Sequence, residues 1–118
     1  MIGIDLIKTQ RMKESIERFN DKFLQRFLSE EEIILVKNYK TAAGFWAAKE
    51  ACSKALGCGI GSQCSFHDIM ISKTSKGAPE IELSQKILQS YAITDISVSI
   101  THDGDYAIAV VAIEGKKP

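Results

Sequence analysis

Two runs near the C-terminus, residues 96–101 and 105–113, are strongly β-patterned and are joined by His102-Asp103-Gly104-Asp105. Alternation puts every second side chain on one face of a strand, and Asp-Gly between two such runs favours a tight hairpin turn. The tail of this chain therefore commits it to an antiparallel sheet. Such a sheet has an apolar face that another element must cover.

Residues 41–56 supply an element long enough to do so. At about 100° per residue, Gly44, Ala48, Ala51, Cys52, Ala55 and Leu56 share one side of a helix, and their small size permits close packing. Gly57 stands where a left-handed residue commonly ends a helix. The other side, an arc of roughly 140°, carries Trp46, Lys49, Glu50, Ser53, Lys54 and Gly57. Two ammonium groups, a carboxylate and a hydroxyl so close together suit a metal-bound polyphosphate. Glu50 and Lys54 also make the i,i+4 pair of an ordinary solvated helix face, for about 0.3–0.5 kcal/mol. The helix alone leaves both readings open.

The rest of the chain fills in an α+β class, with an antiparallel sheet packed on a long central helix. Residues 3–7 read as a short strand carrying Asp5 among apolar neighbours. Met12, Ile16, Phe19, Phe23 and Phe27 recur at helical steps, which predicts helix over 10–28 with a break near Asn20-Asp21. Ser29 followed by Glu32 has the form of a capping box and starts a helix through Ile33, Val36 and Lys37. Segments 66–73 and 79–83 alternate and flank Lys76-Gly77, a second hairpin, and 84–93 suggests a short helix. Strands and helices do not alternate as βαβ units, which argues against a doubly wound parallel sheet. Residues 1–118 read as one domain.

Fifteen basic and fifteen acidic side chains cancel, so no global field draws this chain to nucleic acid or an anionic membrane. No stretch approaches the ~20 apolar residues that span a bilayer, and the expectation is a cytoplasmic protein. Cys52, Cys58 and Cys64 are evenly spaced but lack a C-x-x-C pair, so reduced thiols are preferred to a zinc site. Gly57, Gly59 and Gly61 follow a helix instead of opening one. The dipole end there disfavours an anion, and neither a dinucleotide loop nor a P-loop fits. Asp5 is costly to bury unless it meets a cation, while a water-exposed strand end is the even alternative. His102 at a hairpin corner reads as a solvated or capping residue, and the charges at Arg11, Arg18, Lys22 and Arg26 as a solvated helix face.

Gly3-Ile4-Asp5, then Trp46-Ala47-Ala48-Lys49-Glu50-Ala51 with Ser53-Lys54-Ala55 and the glycines 57, 59 and 61, then residues 97–102 with Tyr106-Ala107, closely resemble the holo-acyl-carrier-protein synthases. Gly77 and Pro79 fit the same pattern, and the resemblance spans nearly the whole chain. It implies the 4′-phosphopantetheinyl transferase fold and a transfer of phosphopantetheine from coenzyme A to a serine of apo-acyl carrier protein, releasing adenosine 3′,5′-bisphosphate. It implies a Mg²⁺ cofactor on Asp5 and Glu50, a catalytic part for Glu50 and Lys54, and coenzyme A contacts from Lys49, Ser53, Lys54, Gly57, Gly59, Gly61 and His102. It also implies docking of the acidic carrier protein on Arg11, Lys22 and Arg26, and a homotrimer with active sites between subunits. A metal-bound water or a nearby carboxylate would take the serine proton. Relatives often carry arginine before the aromatic residue of the central block, where this chain has Phe45. Coenzyme A affinity or trimer packing is the property this change is expected to touch.

Overall fold

A computed structural model describes residues 1–117. In chain order the elements are strand β1 (Ile2–Lys8), helices α1 (Thr9–Phe19), α2 (Asp21–Phe27), α3 (Glu30–Ile34) and α4 (Tyr39–Leu56), a 3₁₀ turn (Phe66–Asp68), strands β2 (Ile69–Lys73) and β3 (Pro79–Leu83), helix α5 (Gln85–Tyr91), and strands β4 (Asp95–Asp103) and β5 (Tyr106–Glu114). The strands make two sheets, β1-β5-β4 and the β2-β3 hairpin, all antiparallel.

The C-terminal hairpin forms as its pattern requires. On β5, Ala107, Ala109, Val111 and Ile113 are buried and the residues between them face outward. α4 lies across the buried face and touches β1, β5 and β4, while α1 and β2 pack against α4 from elsewhere. Ala47, Ala48, Ala51, Cys52 and Ala55 are essentially inaccessible, so the helix and the strands approach closely. Gly3 marks the tightest point: a Cβ there would collide with the backbone of Ala51 and Ala55.

Local signals set several boundaries. The predicted helix over 10–28 is indeed two helices, broken at Asn20, which takes a positive φ of 56°. The capping box at Ser29 and Glu32 is present with both hydrogen bonds. α3 stops at Ile34, short of the predicted Lys37, because Asn38 begins the next helix. Its Oδ1 accepts from the amides of Lys40 and Thr41, so α4 starts at Tyr39 and not at 41. The predicted strand 66–73 starts at Ile69, because Ser65 and Asp68 cap a 3₁₀ turn over its first residues.

Candidate active site

Strand parity decides where Asp5 points. It shares a face with the buried Gly3 and Ile7, the face toward α4, whereas Ile2, Ile4 and Leu6 point outward. A carboxylate on that face needs a partner, and Lys54 supplies one. Lys54 Nζ donates to Asp5 Oδ1 at 2.9 Å and to the Ile4 carbonyl at 3.1 Å. The Asp5 side chain keeps 15% of its exposure. Glu50 lies one turn earlier on α4. Its carboxyl is held above the usual range by burial first and by the negative charge of Asp5 second, with Lys54 pulling the other way. Two carboxylates and one ammonium thus share a small, partly exposed region. Lys54 pairs across to β1 in preference to the i,i+4 pair with Glu50 that the helix alone allows.

The cluster opens on a cavity of about 400 Å³ bordered by Asp5, Glu50, Arg11, Phe23 and Trp46. Phe23 stacks on Trp46 with ring centroids 6.1 Å apart, and Phe27 and Phe66 close on Trp46 at 5.1 and 4.8 Å. Each such pair adds about 0.5–1.5 kcal/mol beyond its buried area, so this wall is firm. The Arg26 guanidinium lies 6.0 Å from the Phe23 ring and 5.3 Å from the Phe19 ring, and Arg18 lies 5.2 Å from Phe19. Arg11 borders the cavity and Arg26 lies over Phe23, one of its lining residues, with Lys22 exposed on the same short helix α2 as Arg26.

The family model described as the 4′-phosphopantetheinyl transferase superfamily matches residues 1–111. The chain belongs to this superfamily. The holo-[acyl-carrier-protein] synthase of Sulfurimonas denitrificans is 67% identical over 114 residues, covering 97% of this chain and 94% of that one. Among solved structures, the Helicobacter pylori holo-[acyl-carrier-protein] synthase in complex with coenzyme A is similar at a TM-score of 0.94 and 50% identity, covering 97% of this chain and 100% of that one. The Bacillus anthracis synthase in complex with CoA (3′,5′-ADP) is similar at 0.80 and 34%, covering 98% and 96%. The fold and the class of enzyme are therefore those of a phosphopantetheinyl transferase.

Within this transferase, the residues expected to contact coenzyme A take different places around α4. Lys49 does not reach the cavity: its side chain is completely buried. Its Nζ donates to the Phe27 carbonyl at 2.7 Å, to Glu32 Oε1 at 2.8 Å and to the Phe66 carbonyl at 3.1 Å, which uses all three protons. Burial draws Lys49 below the ordinary lysine value against the hydrogen bond and charge of Glu32. Ser53 is equally inaccessible, and its hydroxyl donates to the Glu50 carbonyl of its own helix at 2.7 Å. The predicted polar arc therefore splits, because α2, α3 and the 3₁₀ turn cover the half that holds Lys49.

The glycine loop turns the chain out of α4. Gly57 takes φ 82° as a left-handed cap, and the amides of Gly57, Gly59 and Gly61 donate to carbonyls of Lys54, Ser53 and Cys64. These three amides are occupied by the protein. His102 lies at the other end of α4. Its Nε2 donates to the Lys40 carbonyl at 2.8 Å and its ring lies against Gly44. Lys54 is ten residues further along α4, about 15 Å away along the axis. One chain does not bring His102 and Lys54 to one ligand phosphate.

Phe45, the departure from the family pattern, is a core residue with 1% exposure and faces away from the cavity that Trp46 borders. Cys52 and Cys64 are buried thiols pushed up to about 12, in both cases chiefly by burial. Among the described residues, no group of three or more His, Cys, Asp or Glu side chains could hold a metal ion. A cation at the cavity would rest on the two carboxylates of Asp5 and Glu50. That set suits Mg²⁺, which binds through one or two carboxylates and takes its other ligands from water and substrate phosphate.

Sequence reasoning passed over Glu32 as a capping residue only. The second oxygen of its carboxylate accepts from the Ile71 amide at 2.8 Å, across 39 residues. The capping box was legible; nothing local announces the distant partner.

Proposed function

We propose that the enzyme transfers 4′-phosphopantetheine from coenzyme A to a serine of an apo-acyl carrier protein, with Mg²⁺ held by Asp5 and Glu50. The serine oxygen forms a bond to the phosphorus that carries the pantetheine arm. The bond from that phosphorus to the bridging oxygen breaks, adenosine 3′,5′-bisphosphate leaves with that oxygen, and the serine proton passes to water or to a nearby carboxylate. The observation that carries this reading is the meeting of Asp5 on β1 with Glu50 and Lys54 on α4 at the mouth of a cavity rimmed by arginine. Bound there, Mg²⁺ would supply positive charge to the pyrophosphate. Lys54 adds a second positive charge from a half-exposed ammonium, suited to the leaving group. Arg11, Lys22 and Arg26 present positive charge to an acidic carrier beside the same opening, which would hasten encounter at low salt.

The homotrimer belongs to this reading. Ile2, Ile4 and Leu6 on β1 and Val110 on β5 are exposed at 73, 59, 56 and 39%, and they share the outer face of the three-stranded sheet. A patch of this kind marks an interface. A neighbouring copy packed there would be the source of His102 for a site whose own His102 is remote from its Lys54.

The test is to incubate the protein with coenzyme A, Mg²⁺ and apo-acyl carrier protein and read the carrier by intact mass. The carrier is expected to gain one phosphopantetheine on a serine. No gain with any divalent cation would overturn the assignment.

A further inference from the structure

Outside the Asp5–Glu50–Lys54 cluster, the group with the most chemistry and no assigned task is the ion pair of Lys49 and Glu32. Every polar atom of it is used. Lys49 holds the Phe27 carbonyl at the end of α2 and the Phe66 carbonyl at the start of the 3₁₀ turn. Glu32 Oε1 takes the Ser29 amide at 2.8 Å as well as the ammonium, and Oε2 takes the Ile71 amide. Among the described residues, no buried side-chain nitrogen or oxygen lacks a partner. Five chain segments thus meet on one ammonium and one carboxylate.

What they hold is the wall of the cavity. Phe27 and Phe66 are the two residues whose carbonyls Lys49 binds, and their rings flank Trp46. α2 also carries Phe23, which lines the cavity, and Arg26, which lies over the Phe23 ring. This helix has seven residues and buries only Leu24 and Phe27. A helix so short is not stable by itself, and its place depends on what grips its ends. One end turns on the Asn20 corner; the other is bonded to Lys49. A buried ion pair is a poor source of net stability compared with apolar side chains of similar volume, and specifying one arrangement is its better-attested use. Lys49 is also the residue immediately before Glu50, so the same turn of α4 carries the anchor of α2 and a carboxylate of the candidate site.

We propose that Lys49 and Glu32 are positioning residues for carrier-protein recognition: they clamp α2 so that Phe23 and Arg26 stand at a set distance from Glu50. The inference rests on the carrier-docking reading above. It also states which step suffers when the clamp is lost, namely carrier binding.

The test compares the parent with Lys49→Met, Glu32→Gln and the double variant, in steady-state transfer and in thermal melting. Each variant is expected to raise KM for the apo-carrier about tenfold, with kcat and the KM for coenzyme A within about twofold. The single variants strand a buried polar group and should melt early; the double, without buried charge, should melt close to the parent. A double variant that recovered both its melting and its carrier KM would show a structural pair only and overturn the proposal. A fall in kcat with carrier KM unmoved would also overturn it. Should the double not fold, Glu32→Asp keeps the charge and shortens the arm by one methylene. Amide exchange in the folded variant should then quicken over 21–27 and stay slow over 42–56; unchanged exchange in α2 would overturn the clamp. Absence of transfer by the parent would count against the functional reading instead, and the exchange experiment would still judge the clamp.

Discussion

Glu50 and Lys49 are neighbours in sequence with opposite fates, and single residues carry most of the chemistry here. Glu50 holds its proton more tightly when folded, because of burial first and Asp5 second. As pH rises through its raised value, the folded state keeps a proton that the unfolded chain has already lost, so this group lowers stability toward neutral pH. Glu50→Gln is therefore expected to raise the melting temperature of the metal-free protein at pH 7, with the gain vanishing near pH 4, while transfer falls by a factor of about 10³ or more. Added Mg²⁺ should raise the melting temperature of the parent and leave the variant unmoved. Melting curves across pH, with and without Mg²⁺, check both; equal Mg²⁺ shifts would remove Glu50 from the metal site. Asp5 and Glu50 were legible as a ligand pair only through the family resemblance. Spacing alone gave Asp5 an even choice between water and a cation, and Glu50 an ordinary ion pair.

At the scale of elements, the contact between β1 and α4 sets the site, because Asp5 reaches Lys54 only if the strand lies close to the helix. Gly3 allows it. Gly3→Ala places a methyl against the Ala51 carbonyl and the Ala55 amide, backbone atoms that cannot swing aside. The expected cost is about 3 kcal/mol, typical of overpacking at the severe end, and a melting temperature lower by roughly 10 °C or more. Differential scanning calorimetry reads this, and an unchanged transition would show that the strand can shift without loss. A gentler test is the cap of the same helix. Asn38→Ala removes the acceptor for two amides and should cost about 1 kcal/mol with transfer nearly unchanged. The strands, the hairpin turns and the capping box were readable because each depends on neighbours a few residues apart. The apolar period alone puts the start of α4 at 41, and the Asn38 cap moves it to Tyr39.

Across the whole molecule, an apolar sheet face looks outward next to the cavity that Arg11 borders, and Leu6 belongs to both. Ile4→Glu places a charge in the middle of that face, where Ile4 lies opposite Val110. The proposed trimer should dissociate to monomers by sedimentation, with the isolated fold retained and transfer reduced at least tenfold because His102 of a second copy is lost. A variant that sediments as the parent does would remove this face from the interface. Taken alone, the sequence determined the antiparallel hairpin, the long helix with a small apolar side and the glycine exit, while the face that Asp5 takes was left to the structure. These follow from periods of 2 and 3.6 and from turn chemistry, all local properties. Only the tertiary structure decided that Lys49 goes inward and Lys54 toward Asp5. A period says which residues share a face, not which segment will cover it, and the partners of Lys49 lie 17 and 22 residues away along the chain. Burying its ammonium is tolerable only where two carbonyls and a carboxylate converge, and that convergence exists once α2, α3 and the turn before β2 have packed.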